Sequence, residues 1–92
     1  IEVEEKPNKP KSEFGILPLY YFKSDIFSSL KKIKPDKNKE YQLTDAIEKL
    51  IQEKQKVLAI TLEKNEEEVD VGTVSSYRES QKVTFRKAWF LR

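Results

Sequence analysis

Residues 40–51 read Glu40-Tyr41-Gln42-Leu43-Thr44-Asp45-Ala46-Ile47-Glu48-Lys49-Leu50-Ile51, and the reading of this stretch sets the frame for the rest of the chain. Ala46, Ile47, Leu50 and Ile51 recur at helical spacing and make one apolar stripe. Glu48, Lys49 and Gln52 fall toward water. Thr44 and Asp45 stand where a helix begins, and either side chain can accept a hydrogen bond from a free backbone N–H. Capping explains this segment most simply. A second reading lets Glu40 reach the rim of a site or a neighbouring subunit.

Working toward the N-terminus, Ser24 and Asp25 supply the same starting chemistry. Ile26, Phe27, Leu30 and Ile33 then follow at helical spacing, and this helix should end before Pro35. Residues 34–39 are polar and read as an exposed loop. Further upstream, FGILPLYYF (residues 14–22) reads as a buried strand, or as short strands broken at Pro18, which cannot donate to a ladder. Residues 6–12 are a loop, and residues 1–5 alternate as a short strand. Toward the C-terminus, residues 56–62 carry Val57, Leu58, Ile60 and Leu62 as a strand. An acidic turn covers 64–68, and Val69 and Val71 mark a brief strand ending at Gly72. A third helix starts near Thr73, with Tyr77 on its buried face. Residues 83–92 either continue that helix or form a strand. The resulting expectation is an α/β unit with a small mixed sheet and about three helices.

Composition removes several kinds of chemistry. The 92 residues contain no cysteine and no histidine, so disulfides, thiolate catalysis, a Ser-His-Asp triad and a histidine zinc site are excluded within the chain. Any metal must be held by oxygen, which favours a hard cation such as Mg²⁺. The 18 basic and 16 acidic residues nearly balance, so charge gives no indication of a nucleic-acid partner. No apolar run approaches the roughly 20 residues that span a bilayer, and no signal peptide opens the chain, so the expectation is a cytoplasmic protein without a membrane partner.

Three segments carry candidate chemistry. In Glu5-Lys6-Pro7, a carboxylate that can accept hydrogen bonds stands beside an ammonium that can neutralise a phosphate. The same residues also read as a solvated charge pair. In Val69-Asp70-Val71-Gly72-Thr73, Asp70 precedes a glycine turn and can serve either as a Mg²⁺ ligand or as a turn aspartate bonded to nearby N–H groups. The third is the opening stretch from Glu40 to Asp45.

Taken together and in this order, these segments resemble the sugar-1-phosphate nucleotidylyltransferases, the family of glucose-1-phosphate uridylyl- and thymidylyltransferases. The resemblance runs from about residue 3 to about residue 80, through EEKP, NKPKS, LYYF, SDIFSSLKK, EYQLTDAI and VDVGTVSSYRES. It implies the C-terminal fragment of a Rossmann-like nucleotide-diphospho-sugar transferase fold. Residues 1–82 would form its sugar-phosphate-binding portion, and residues 83–92 a basic aromatic tail. It further implies that Glu5 binds sugar hydroxyls, that Lys6 contacts the sugar phosphate, and that Asp70 is one of two carboxylates holding catalytic Mg²⁺. Gly72 and Thr73 would form the supporting turn, and Glu40 a possible supporting group.

The implied partners are a sugar-1-phosphate, UTP or dTTP, and an N-terminal part of the same protein bearing the Gly-rich loop and the other metal carboxylate. Only Gly15 and Gly72 occur here, so there is no Gly-rich phosphate cradle, and no residue of this chain is assigned a directly catalytic part. Self-association through residues 14–22 or the AWFL stretch is also expected. Three departures from the family pattern stand out. Pro18 takes the place of a usual glycine, Val74 that of a frequent proline, and NEEEV precedes Asp70 without the usual basic or aromatic residues. Pro18 and the acidic patch motivate an alternative, a sugar-phosphate-binding or structural module without catalysis.

Overall fold

A computed structural model describes the backbone of residues 1–90 and the side chains of residues 1–88. The expectations for Leu91, Arg92 and the side chains of Trp89 and Phe90 lie outside the described residues. The described chain contains three helices: α1 (Asp25–Leu30), α2 (Leu43–Gln52) and α3 (Val74–Phe90). It divides into two compact units, Ile1–Ala59 and Ile60–Arg92.

In the first unit, α1 packs against α2. The core consists of Ile26 from α1 with Ala46 and Leu50 from α2. Phe22, Leu30, Ile33, Leu43 and Val57 close around it. Ala46 is 0% exposed, and its methyl group lets the two helices approach closely. Ile47 is also buried, so the apolar stripe of residues 46–51 is used as the sequence indicates. Phe27 is the exception on α1. It shares the spacing of its apolar neighbours yet remains exposed, because the six residues of α1 bury only a narrow face. Lys32 donates to Glu53 Oε1 at 2.6 Å and joins the ends of the two helices.

The end of α2 is built on a lysine where a glycine is usual. Glu53 caps the helix, and Lys54 follows with φ 58°. The Lys54 N–H donates to the Ile51 carbonyl at 2.9 Å, and the Gln55 N–H to the Leu50 carbonyl at 3.0 Å. These paired bonds are a Schellman motif, which satisfies carbonyls that the helix leaves open.

The expected small mixed sheet does not form: no strand occurs among the described residues. Residues 1–5, 14–22, 56–62 and 69–71 lack regular secondary structure. A strand exists only through its ladder, and alternating apolar residues record a capacity for one-sided burial rather than a partner. The side chains report the same thing. Ile60 is 94% exposed and Leu19 92% exposed, so neither is buried on a sheet face. Pro18 is the centre of a three-residue turn, in which the Leu19 N–H donates to the Leu17 carbonyl at 2.8 Å. Beyond it, Tyr20 and Phe22 stack with ring centroids 5.4 Å apart.

In the second unit, α3 begins at Val74 and runs through residues 83–90 without interruption. Among the described residues its buried positions are Ser80 and Val83, whereas Tyr77 is exposed. Ser80 Oγ donates to the Tyr77 carbonyl at 2.6 Å, and Thr84 Oγ1 to the Ser80 carbonyl at 2.8 Å, so these hydroxyls are satisfied by the helix itself.

A β-carbon in the left-handed region costs roughly 1 kcal/mol that glycine avoids. Lys54→Gly should therefore stabilise the first unit by up to about 1 kcal/mol, read as a higher denaturant midpoint with an unchanged slope. A lower midpoint would show that the Lys54 side chain contributes more than its backbone geometry costs.

Candidate functional site

The N-terminal segment is fastened to α2 at two points. The Val3 N–H donates to Glu48 Oε2 at 3.0 Å, and Thr44 Oγ1 donates to Glu5 Oε2 at 2.6 Å. The spacing matches. Two residues of extended chain rise about 6.6 Å, and four residues of helix rise about 6 Å. The segment thus runs antiparallel to α2, with Glu5 at the helix's first turn.

This arrangement corrects the reading of Thr44 as a cap. Gln42 occupies the N-cap position with extended dihedrals, and its side chain makes no capping bond. Thr44 lies one residue inside the helix, where no earlier helical carbonyl is available to its hydroxyl. The proton goes instead to the carboxylate of Glu5. Thr44 is buried, and Glu5 is partly buried beside it.

The two oxygens of Glu5 therefore differ. Oε2 is taken by Thr44, whereas Oε1 lies 3.9 Å from Lys6 Nζ. The Lys6 side chain is 89% exposed, and that of Glu5 30%. Such a loose, solvated pair adds little stability. It does place a partly buried carboxylate and an exposed ammonium side by side. Lys6 holds φ 41°, in the left-handed region that β-carbons disfavour.

The loop that feeds α2 is closed by Asp36. Its Oδ1 accepts the N–H groups of Asn38 at 2.8 Å and Glu40 at 3.0 Å, and its Oδ2 accepts Gln42 Nε2 at 2.9 Å. The Gln42 amide also lies 3.5 Å from Glu40 Oε2. Gln42 and the Glu40 and Asn38 amides, aided by the charge of Lys37, outweigh desolvation and hold the Asp36 carboxyl below the usual aspartate range. Glu40 thus belongs to the loop closure that sets the start of α2.

Asp70, Gly72 and Thr73 lie in the second unit. Asp70 Oδ1 accepts the Gly72 N–H at 3.2 Å, the geometry of a turn aspartate. A β-carbon on Gly72 would stand 3.4 Å from both Asp70 oxygens. Thr73 and Ser76 form a reciprocal cap at the start of α3. The Ser76 N–H donates to Thr73 Oγ1 at 3.1 Å, and the Thr73 N–H to Ser76 Oγ at 3.0 Å. No group of three or more acidic side chains able to hold a metal gathers among the described residues. The donor chemistry at Asp70 nonetheless suits a hard cation. Oδ2 takes no hydrogen bond among the described residues, and Mg²⁺ is commonly held by one or two carboxylates, with substrate phosphate oxygens and water completing its shell.

A family model described as "Nucleotidyl transferase" matches residues 1–86. The chain belongs to the nucleotidyl transferase family. The chain is 43% identical over 53 residues to the bifunctional protein GlmU of Methanococcus aeolicus, covering 58% of this chain and 13% of that protein. The GlmU protein of Methanocaldococcus jannaschii is 44% identical over 62 residues, covering 67% of this chain and 15% of that one. The glucose-1-phosphate thymidylyltransferase of Streptomyces antibioticus is 35% identical over 51 residues, 55% of this chain and 14% of its own. The matched segments span about one-seventh of the length of these curated relatives. No solved structure matches. Among the described residues, no helix is long and apolar enough to cross a membrane.

Glu5, Lys6 and Asp70 stand out in the sequence as candidates, and so does the turn at Asp70, but the bond from Thr44 to Glu5 does not. Glu48, which the helical pattern turns toward water, fastens Val3. Asp36 was one residue of an exposed loop, and the spacing of Asp36 to the Gln42 amide was the available signal for its closure.

A depressed carboxyl pKa stabilises the native loop at neutral pH, and that contribution is lost as pH falls through the native value. Protection of the Asn38 and Glu40 amides from hydrogen exchange should be pH-independent above the usual aspartate range, once the intrinsic rate is corrected for, and should fall only in more acidic solution. In Asp36→Asn the same amides should show no such acid transition.

The Thr73–Ser76 cap should contribute about 1 kcal/mol to α3. Thr73→Ala is expected to raise amide exchange in the first turn of α3 and leave the amides of α2 unchanged. Equal exchange rates in variant and wild type would remove this role.

Proposed function

We propose that this chain forms the sugar-phosphate side of an enzyme that transfers a nucleotidyl group from UTP or dTTP to glucose-1-phosphate and releases pyrophosphate. The observation that carries the reading is the division of labour at Glu5-Lys6. One carboxylate oxygen is anchored on α2, and the other stands beside an exposed ammonium. A sugar phosphate offers the complementary pair, hydroxyl donors and a dianion. Family membership over residues 1–86 supports the transferase class. The thymidylyltransferase relative supports glucose-1-phosphate as the acceptor.

In this reading Glu5 Oε1 accepts hydrogen bonds from sugar hydroxyls, and Lys6 Nζ neutralises the phosphate. The bound phosphate oxygen attacks the α-phosphorus of the nucleoside triphosphate in line. A new P–O bond forms, the bond to the β-phosphate oxygen breaks, and pyrophosphate carries away the electron pair. Such a transfer needs position and charge stabilisation more than covalent work by side chains, which suits a chain without histidine or cysteine. In the second unit, Asp70 would supply one ligand to Mg²⁺, its turn set by Gly72 and Thr73; the chemistry such a cation would supply is neutralisation of phosphate charge.

The test is pyrophosphate release by the full-length protein with glucose-1-phosphate and either UTP or dTTP. Turnover is expected with at least one nucleotide. Lys6→Ala should raise the KM for glucose-1-phosphate roughly 10- to 100-fold, the usual cost of a lost charge-assisted contact, with the KM for the nucleotide little changed. No pyrophosphate from either pairing, together with no binding of glucose-1-phosphate, would favour a structural module instead.

A further inference from the structure

We infer that Thr44 is the positioning residue of the sugar-phosphate site: its hydroxyl holds Glu5 Oε2 so that Oε1 is presented, beside Lys6, to the sugar hydroxyls. This rests on the function proposed above and adds a specificity-determining contact to it. The first support is geometric. The bond from Thr44 Oγ1 to Glu5 Oε2 is 2.6 Å long and joins residues 39 apart in sequence. A short bond to an ionised acceptor is among the stronger kinds.

The second support is that Thr44 has no competing duty. Gln42 is the N-cap residue, and the Asp45 N–H donates to the Gln42 carbonyl at 3.2 Å, so the helix start is built without the Thr44 hydroxyl. The third is that the segment does not need this bond to reach α2. The Val3 N–H already anchors it on Glu48 at 3.0 Å. What the second bond adds is the orientation of one carboxylate.

A carboxylate has two equivalent oxygens and a soft terminal torsion, so a single chain anchor leaves it free to turn. Occupying Oε2 from a buried helical hydroxyl removes that freedom. The oxygen left over is the one 3.9 Å from Lys6 Nζ. A ligand with hydroxyls and a phosphate would therefore meet a fixed acceptor and a cation in constant relation.

The experiment compares wild type, Thr44→Val, Thr44→Ser, Glu5→Gln and the Thr44→Val/Glu5→Gln double variant in the full-length protein. Pyrophosphate release is followed against glucose-1-phosphate and against UTP or dTTP. Thr44→Val keeps the shape and loses the donor. Its KM for glucose-1-phosphate should rise about tenfold, with the KM for the nucleotide unchanged. Thr44→Ser keeps the donor and should stay within about threefold of wild type. In the Glu5→Gln background, Thr44→Val should add no further loss, because the carboxylate through which it acts is already gone. The proposal is overturned by a Thr44→Val enzyme with wild-type KM, by parallel rises in both KM values, or by losses that add in the double variant. It is also overturned by a tenfold rise in Thr44→Ser, a readout that stands even if Thr44→Val does not fold. Wild-type turnover with an unaffected Thr44→Val enzyme removes this inference alone, whereas absence of wild-type turnover removes the function it rests on.

Discussion

The burial of Ala46 and Leu50 against Ile26 is the contact on which the first unit depends. It fixes where α2 lies, and α2 in turn fixes the N-terminal segment. Glu48 and Thr44 stand one helical turn apart, facing the segment, while Ala46, Ile47 and Leu50 face the core. One ten-residue helix thus serves as core element and as template. Any change in its rotation would move both anchor points together. The loop closure at Asp36 acts on the N-terminus of the same element, since Gln42 is at once a partner of Asp36 and the residue from which α2 starts.

Helical periodicity proved readable because it is self-contained. The bonds of α1, α2 and α3 run between residues a few positions apart, so their patterns carry their own partners. The segments read as strands are the opposite case. Val57, Leu58, Ile60 and Leu62 have the composition of a strand, but composition says nothing about which chain supplies the ladder. Val57 finds burial beside α2, whereas Leu58 and Ile60 remain exposed. The failed reading of Tyr77 has a different origin. Size and hydrophobicity favour Tyr77 over Ser80, but Ser80 returns its hydroxyl proton to the Tyr77 carbonyl and can be buried without loss.

The candidate residues of the two units, each taken by itself, show the same division between what is local and what is not. Glu5 and Lys6 are adjacent in sequence, and a carboxylate beside an ammonium can be seen without coordinates. Asp70 and Gly72 are equally local, and their turn is of the kind expected for an aspartate two residues before a glycine. Thr44 could not be read this way. A threonine at a helix start suits capping, and only the N-cap position of Gln42 and the placement of Glu5 reveal that its proton is spent elsewhere.

The backbone at Lys6 bears on the same residues. A left-handed residue costs free energy, and the Glu5–Lys6 ion pair, long and solvated, returns little of it. The anchors of the segment lie at Val3 and Glu5, so neither requires a lysine at the next position. Glycine would meet the backbone geometry there at lower cost. Lys54 holds the same left-handed region where it only closes the Schellman motif of α2, so the conformation alone calls for no ligand; what sets Lys6 apart is the carboxylate oxygen of Glu5 beside it.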